Sequence, residues 1–337
     1  ARGNNFEARL ERLAAANAAN GGVAVFGVTE HADREPGARA YARGRRARVP
    51  ASERPASPSR VDLEPVEGAS HAFVDWRADS RGVVSAVKNQ GQCGSCWAFS
   101  ATEQVESQLV LAGAPQVELS TQQVASCTAD PQLMCCDGCA GGDPTAAYEY
   151  LAWASRKGGL APDAWWPYEQ GLTPDEVCEA PACTKTCDKD VSQLPADFGY
   201  VGPYAKVSGY AYAIPECDVG ACDDQDTDQL AARLEASPLS VCLNAGAWDD
   251  YTGGVLSEAA CGGHGADDVD HCVQLVGYNK TEPDNSYWIV RNSWSTSWGE
   301  DGYIYLSMDG NACGVANEAT LAVVAEGDGD SGPVNNF

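Results

Sequence analysis

Gln90-Gly91-Gln92-Cys93-Gly94-Ser95-Cys96-Trp97-Ala98-Phe99-Ser100 is the stretch on which the reading of this chain turns. A helical register begins at its centre: Ala98, Ala101, Val105 and Ala112 fall on one periodic face after Ser95, and Gly113 supplies the stop. Cys96 therefore stands at a helix start, where unpaired backbone N–H groups and the helix dipole favour an anion. A thiolate at that place is stabilised, and the thiolate is the nucleophilic form of cysteine. Gly91 and Gly94 allow a tight backbone turn, and Gln90 brings a side-chain amide donor close to the sulfur. A lone cysteine at a helix start is commonly a small buried hydrophobe, but the surrounding pattern is too specific for that account.

A nucleophilic thiol needs a base, and the base needs an orienting group. Of the four histidines, His31 and His71 lie near the N-terminal third and His264 lies in a Gly-rich loop. His271, in Asp270-His271, opens a β-rich run, Cys272–Tyr278. A second run, Tyr287–Arg291, ends in Asn292-Ser293-Trp294, which offers a side-chain carbonyl to hold a ring.

Fifteen cysteines in 337 residues imply disulfides and a secretory, lysosome- or vacuole-like or extracellular destination. Closely spaced cysteines such as Cys93-x-x-Cys96 can suggest zinc, but only four histidines are present and none stands at His-x3–5-His spacing, so zinc is not expected; no metal and no cofactor is called for. Residues 1–70 hold 11 Lys+Arg and 9 Asp+Glu, while residues 71–337 hold 11 and 39. So acidic a body argues against nucleic acid as a partner. The absence of an apolar run near 18 residues argues against a membrane span. The chain opens without a signal-peptide pattern, as a cleavage site or cloning boundary would leave it.

Along the chain, residues 1–20 read as a helix with Phe6, Leu10, Leu13 and Ala14 on one face and Gly21-Gly22 as its end. Residues 34–67, rich in Pro, Ser, Arg and Ala, read as an extended linker in which Arg39, Arg43, Arg45, Arg46 and Arg48 cluster. Short β-rich runs at Leu239–Leu243, Cys272–Tyr278, Tyr287–Arg291 and Tyr303–Met308 follow. A helical half thus precedes a β half, and Glu326–Phe337 reads as a disordered tail.

With these residues in place, the chain resembles the papain and cathepsin family of cysteine proteases. The likeness runs from Val74-Asp75-Trp76-Arg77 through Gln90–Ser100, Cys139-Ala140-Gly141-Gly142, Trp166-Pro167-Tyr168-Glu169, Asp270-His271 and Asn292-Ser293-Trp294 to Trp298–Tyr303. It implies an α+β, two-lobe fold with an inhibitory pro-segment at 1–70, a mainly helical lobe at 71–205 and a β-barrel lobe at 206–325. It also implies a Cys96–His271 thiolate–imidazolium pair, Asn292 orienting the ring, Trp294 covering that contact, and an oxyanion hole from the Gln90 side chain and the Cys96 amide. The expected activity is endopeptidase action through a thioester, by a monomer made as a zymogen, on protein or peptide substrates. The family's pro-helix spacing reads here as Arg2, Phe6, Arg9, Leu13 and Asn17, with Arg9 where an Asn belongs; a second pro-segment pattern reads Gly27, Thr29, His31 and Asp33. Maturation is expected within Val66–Phe73.

The same resemblance implies disulfides Cys93–Cys139, Cys127–Cys178 and Cys261–Cys313. Cys242 and Cys272 fall on strands expected to be neighbours, and Cys217 and Cys222 could close a small loop. Cys135, Cys136, Cys183 and Cys187 are left without a chosen pairing, and Cys96 stays free. Glu318 would lie at the floor of the main substrate pocket, with Gly141, Gly142, Asp143, Pro144, Thr145, Val269 and Asp270 along the wall. The resemblance then implies a P2 preference for Arg beside bulky apolar residues. Two other readings use the same fold: an inactive binding module, which the presence of all four site residues disfavours, and a ligase that passes the thioester to an amine. Asn279-Lys280-Thr281 is a glycosylation sequon, a triplet frequent by chance.

Overall fold

The computed structural model describes residues 2–19, 23–29, 44, 52, 54, 56–128, 136–154, 159–171, 187, 189 and 206–324. Three helices come early: α1 (Arg2–Ala19), α2 (Cys96–Leu111) and α3 (Thr121–Cys127), followed by α4 (Pro144–Ala154). Two short strands, β1 (Ala24–Phe26) and β2 (Phe73–Asp75), precede α2. Beyond residue 206 the chain is mainly β: β3 (Val207–Tyr212), β4 (Leu239–Leu243), β5 (Tyr251–Leu256), β6 (His271–Asn279), β7 (Tyr287–Arg291), β8 (Tyr303–Ser307) and β9 (Glu318–Val324). Helices α5 (Thr227–Ala236) and α6 (Glu258–Cys261) are set among them. The strands lie in the order β1-β5-β8-β7-β6-β4-β9-β3, with β2 on β6; β5 and β8 run parallel and the remaining pairs antiparallel. The four β-rich runs read from the sequence are β4, β6, β7 and β8, the α+β class holds, and the helical half does precede the β half.

α2 ends as expected. Gly113 has φ +94°, and the amides of Gly113 and Ala114 turn back onto the carbonyls of Val110 and Leu109. The helix is buried from Cys96 to Val110, although seven of its 16 residues are polar. Those side chains join it to the sheet. Ser100 bonds Ser240 and the Val273 carbonyl, and Gln104 spans the Pro238 carbonyl and the Ala322 amide. Gln274 reaches the Glu103 carbonyl and Ser107. Arg291, fully buried, faces Glu103 at 3.2 Å and donates to the Ser85 carbonyl. Burying so many polar groups is tolerable because most of them find partners across the seam, although Thr102 Oγ1 and Gln274 Oε1 make no hydrogen bond among the described residues. This polar seam sets α2 against β4, β6 and β9.

α1 forms as read, but its docking face differs. Phe6 and Leu10 are 38% and 41% exposed, Ala14 is exposed, and Leu13 is buried. The face that packs is Arg9, Leu13 and Ala16, because its anchor is electrostatic: Arg9 Nε donates to Asp250 Oδ1 at 2.7 Å and Arg9 is 3% exposed. Asn17 completes the docking by bonding both the amide and the carbonyl of Phe26 on β1 at 2.8 Å. β1 then adds to β5. Gly21-Gly22, the Arg39–Arg48 cluster, His31, Asp33 and the tail Glu326–Phe337 lie outside the described residues. The described part of the linker meets acidic partners: Arg54 pairs with Glu216 and Asp218, each at 2.9 Å.

Four expected disulfides are present: Cys93–Cys139, Cys261–Cys313, Cys217–Cys222 and Cys242–Cys272, the last between directly opposed residues of β4 and β6. The expected Cys127–Cys178 bridge is replaced by Cys127–Cys187. The chain order of cysteines could not choose among Cys178, Cys183 and Cys187. What decides is the return of the chain to α3 near Lys189, which stacks on Trp165 and Trp166 and donates to the Trp165 carbonyl at 2.8 Å. Cys136 is also disulfide-bonded, and Cys96 is the free cysteine among the described residues; Cys135, Cys178 and Cys183 lie outside those residues.

Candidate active site

Cys96 is the first residue of α2. The Ser95 hydroxyl, at the position before it, is engaged by the Tyr168 hydroxyl at 2.7 Å and makes no capping bond. The helix-start amides are thereby left to the cysteine side of the turn. β6 brings its own first residues to the same place: His271 opens the strand, and the Cys272 amide comes near enough to the Cys96 sulfur to favour its anion.

His271 is fully buried. Its Nε2 lies 2.8 Å from Asn292 Oδ1, at the end of β7. The Asn292 backbone is held by its amide on the Gly302 carbonyl, and its side-chain Oδ1 also accepts the Ser293 amide. Trp294 lies over the imidazole at 5.0 Å between ring centres, and Trp248 meets the ring edge-on at 5.9 Å. Trp248, Trp294 and Trp298 pack together, so the His271–Asn292 contact sits beneath an aromatic roof. Expelling water strengthens the hydrogen bond that orients the ring.

Gln90 is buried and fixed at both ends of its amide. Ser293 Oγ donates to Oε1 at 2.5 Å, and Nε2 donates to the Cys93 carbonyl at 2.9 Å. The Gln90 amide bonds the Ser293 carbonyl, and Tyr168 donates to the Gln90 carbonyl. Ser293 thus determines which end of the carboxamide faces the Cys93–Cys96 turn, a role that a serine within Asn292-Ser293-Trp294 did not announce.

Gly44, from the N-terminal segment, lies on this site. The Gly44 amide donates to Cys96 Sγ at 3.2 Å, and the Gly44 carbonyl accepts from the Gly142 amide at 2.7 Å. Glycine is required at 44, since an added Cβ would fall 1.7 Å from the Gly94 carbonyl oxygen. Gly142 is under the same demand from below, where a Cβ would meet the Trp97 ring at 2.4 Å. Burial pushes the Cys96 thiol up to about 11. The Cys272, Gly44 and Trp97 amides oppose that rise, while the charge of Asp270 adds to it. In the closed chain burial thus works against the thiolate.

On the substrate side, Glu318 opens β9 opposite Cys242 and is 2% exposed. It lies close enough to the buried Tyr148 of α4 to oppose ionisation of that hydroxyl, as does Asp143, after burial itself. Asp143 caps α4: its Oδ1 accepts from the Thr145 amide and hydroxyl at 2.9 and 2.7 Å, with Pro144 at the first helical position. Thr145 and Val269 are buried, and Asp270 accepts the Ala245 amide at 2.9 Å. Gly141 is buried with φ +107°. Among the described residues no cluster of His, Cys, Asp and Glu suits a metal ion.

Residues 71–323 match the papain family cysteine protease domain. This chain belongs to the papain family. A cysteine proteinase of Trypanosoma brucei brucei is 35% identical over 326 residues, covering 95% of this chain and 61% of that protein. The chain therefore spans about three-fifths of that relative's length. Human cathepsin O is 32% identical over 250 residues, covering 74% of this chain and 65% of its own. Among solved structures, the digestive procathepsin L 3 of Tenebrio molitor larval midgut superposes with a TM-score of 0.72 at 28% identity, covering 95% of this chain and 90% of that one. The ragweed pollen allergen Amb a 11, in its proform, gives 0.70 at 26% identity over 96% and 87%. The papain-like α+β fold is thus established for this chain, and its N-terminal segment aligns within the proforms.

Proposed function

We propose that this chain is the proform of a papain-type cysteine endopeptidase, held inactive by residues 1–70. The observation that carries the reading is the seating of Gly44: its amide caps the Cys96 sulfur and its carbonyl takes the Gly142 amide, so backbone occupies the ground where a peptide substrate would lie. Removal of the segment returns Cys96 to solvent and lets its proton pass to His271, giving the ion pair in which the thiolate attacks. The new C–S bond forms as the carbonyl π electrons move to oxygen. That oxyanion is received by the Cys96 amide and the Gln90 carboxamide, each donor contributing about 3 kcal/mol in comparable sites. Collapse breaks the C–N bond, and the imidazolium proton goes to the leaving amine. Water, deprotonated by His271, then attacks the thioester and releases the acid and the thiol. Asn292 keeps the ring in the orientation that both proton transfers need.

The finer proposal is a main pocket with Glu318 at its floor and Gly141, Gly142, Asp143, Pro144, Thr145, Val269 and Asp270 beside it, accepting P2 Arg as well as bulky apolar residues. A buried carboxylate in a half-apolar pocket has a guanidinium as its natural complement. Asp143, committed to capping α4, shapes the wall and leaves the charge recognition to Glu318. The disulfides support an oxidising compartment, on the secretory route or outside the cell; no described helix is long and apolar enough to cross a membrane.

The test is acid-triggered processing followed by hydrolysis of a fluorogenic Phe-Arg peptide, with Cys96→Ala alongside. Activity that rises on processing and is lost in the variant supports the proposal. A cleaved, reduced chain with no activity would return the fold to the class of binding modules.

A further inference from the structure

Glu235 sits in the last turn of α5, at the negative end of a helix, where a carboxylate is disfavoured. Its side chain is only 16% exposed, and among the described residues no Lys or Arg pairs with it. Instead it gathers donors from the start of the protease body. Its Oε1 accepts the Ser70 amide at 2.6 Å, the His71 amide at 2.8 Å and the Tyr278 hydroxyl at 2.7 Å. Its Oε2 accepts the Ser70 hydroxyl at 2.8 Å and lies 3.0 Å from His71 Nδ1. Burial works against the charge, but the His71 amide, Tyr278, and the His71 and Ser70 side chains together hold the carboxyl down at about 2.

α5 grips the chain on both sides of one short gap. Before it, Arg233 donates to the Glu64 carbonyl and Gln229 to the Val66 carbonyl. After it come Ser70 and His71 on Glu235, the Ala72 carbonyl on the Lys280 amide, and β2 on β6. Between them Glu67 and Gly68 are exposed, and a Cβ at Gly68 would meet nothing within 4 Å. A protease reaches such a stretch without unfolding anything. Ser70 is the first residue beyond it whose nitrogen rests on a carboxylate, and among the described residues that carboxylate has the His71 ring beside it but no Lys or Arg.

We propose that the mature chain begins at Ser70 and that Glu235 is the receptor for the α-ammonium created there. Hydrolysis of the Ala69–Ser70 bond leaves the carboxylate on Ala69 and protonates the Ser70 amine. A neutral N–H···O contact thereby becomes an ion pair at the same atoms, which favours the cleaved form over the zymogen. The proposal rests on the proform reading above, and its test separates the two.

The first measurement is the N-terminal sequence of the self-processed chain, expected to start at Ser70 alone. The second needs no activity of the protein: the Cys96→Ala zymogen is cut after Glu67 with a Glu-specific endopeptidase and trimmed with an aminopeptidase. Trimming is expected to remove Gly68 and Ala69 and halt at Ser70, and in a Glu235→Gln chain to run past Ser70 about tenfold faster, as loss of a charge-assisted contact predicts. Glu235→Gln should also lower Tm by roughly 3 °C more in the cleaved chain than in the zymogen. A start at any other residue, or equal trimming of both chains, overturns the assignment. Failure to self-process would count against the proposed activity and leave the second measurement to decide the N-terminus.

Discussion

Arg9, in the N-terminal helix, is buried against Asp250, the residue before β5, with Nε 2.7 Å from Oδ1. The resemblance placed an Asn at this position and made Arg9 a departure. The structure makes it the anchor of the segment, since the apolar residues Phe6 and Leu10 face outward.

Arg9→Ala should therefore loosen the zymogen. Breaking a buried pair costs about 3–5 kcal/mol. Asp250 keeps 19% of its side chain exposed, so about 2 kcal/mol is expected here. Urea unfolding of the single and double variants with Asp250→Ala in a Cys96→Ala background measures the coupling. A coupling near zero would move the anchor to Asn17 and β1.

Cys96 should react slowly with iodoacetamide in the zymogen at neutral pH and faster as pH rises toward about 11, because burial favours the thiol. Its folded value lies above the ordinary one, so the proton is held more tightly folded than unfolded. The corresponding stability is complete below pH 9 and declines as pH climbs through about 11. After processing, alkylation should be fast below pH 7. A zymogen as reactive as the processed chain at pH 7 would contradict this.

Asn292→Ala should lower kcat about 100-fold with little change in KM, as for a misplaced catalytic group. The ring would lose its 2.8 Å partner while the roof of Trp294 and Trp248 remained. A fall confined to KM would make Asn292 a substrate contact.

Glu318→Ala should reduce kcat/KM for P2 Arg about 10- to 100-fold, the worth of a charge-assisted contact, and change P2 Leu or Phe by less than about threefold. Equal losses on both substrates would show that Glu318, buried beside Tyr148, serves packing.

Replacing Cys242 and Cys272 together by Ala should cost roughly 3–4 kcal/mol, from the entropy of the 30-residue loop they close. Because Cys272 follows His271 on β6, the same variant should lose activity even at temperatures where it stays folded. Retained activity at reduced Tm would confine the bridge to stability.

Much of the site lay open in the sequence because its chemistry is local. The helix start at Cys96, the strand that opens with His271 and the turn at Asn292 each follow from residues within one element. The four strands with strong β character were equally plain. β3, β5 and β9 were not read: β5 carries Gly253 and Gly254, and β9 runs Glu-Ala-Thr-Leu-Ala-Val-Val, which suits a helix as well as a buried strand.

What the sequence determined by itself was therefore the identity of the reacting groups and their order along the chain, since residue type and local periodicity suffice for both. Tertiary structure alone decided which cysteine meets Cys127, which face of the first helix docks, and that Gly44 lies on the sulfur. It also decided that Glu235 waits at Ser70. Each of these joins residues far apart in the chain, and their meeting depends on how the whole polar seam and sheet close, which no local pattern encodes.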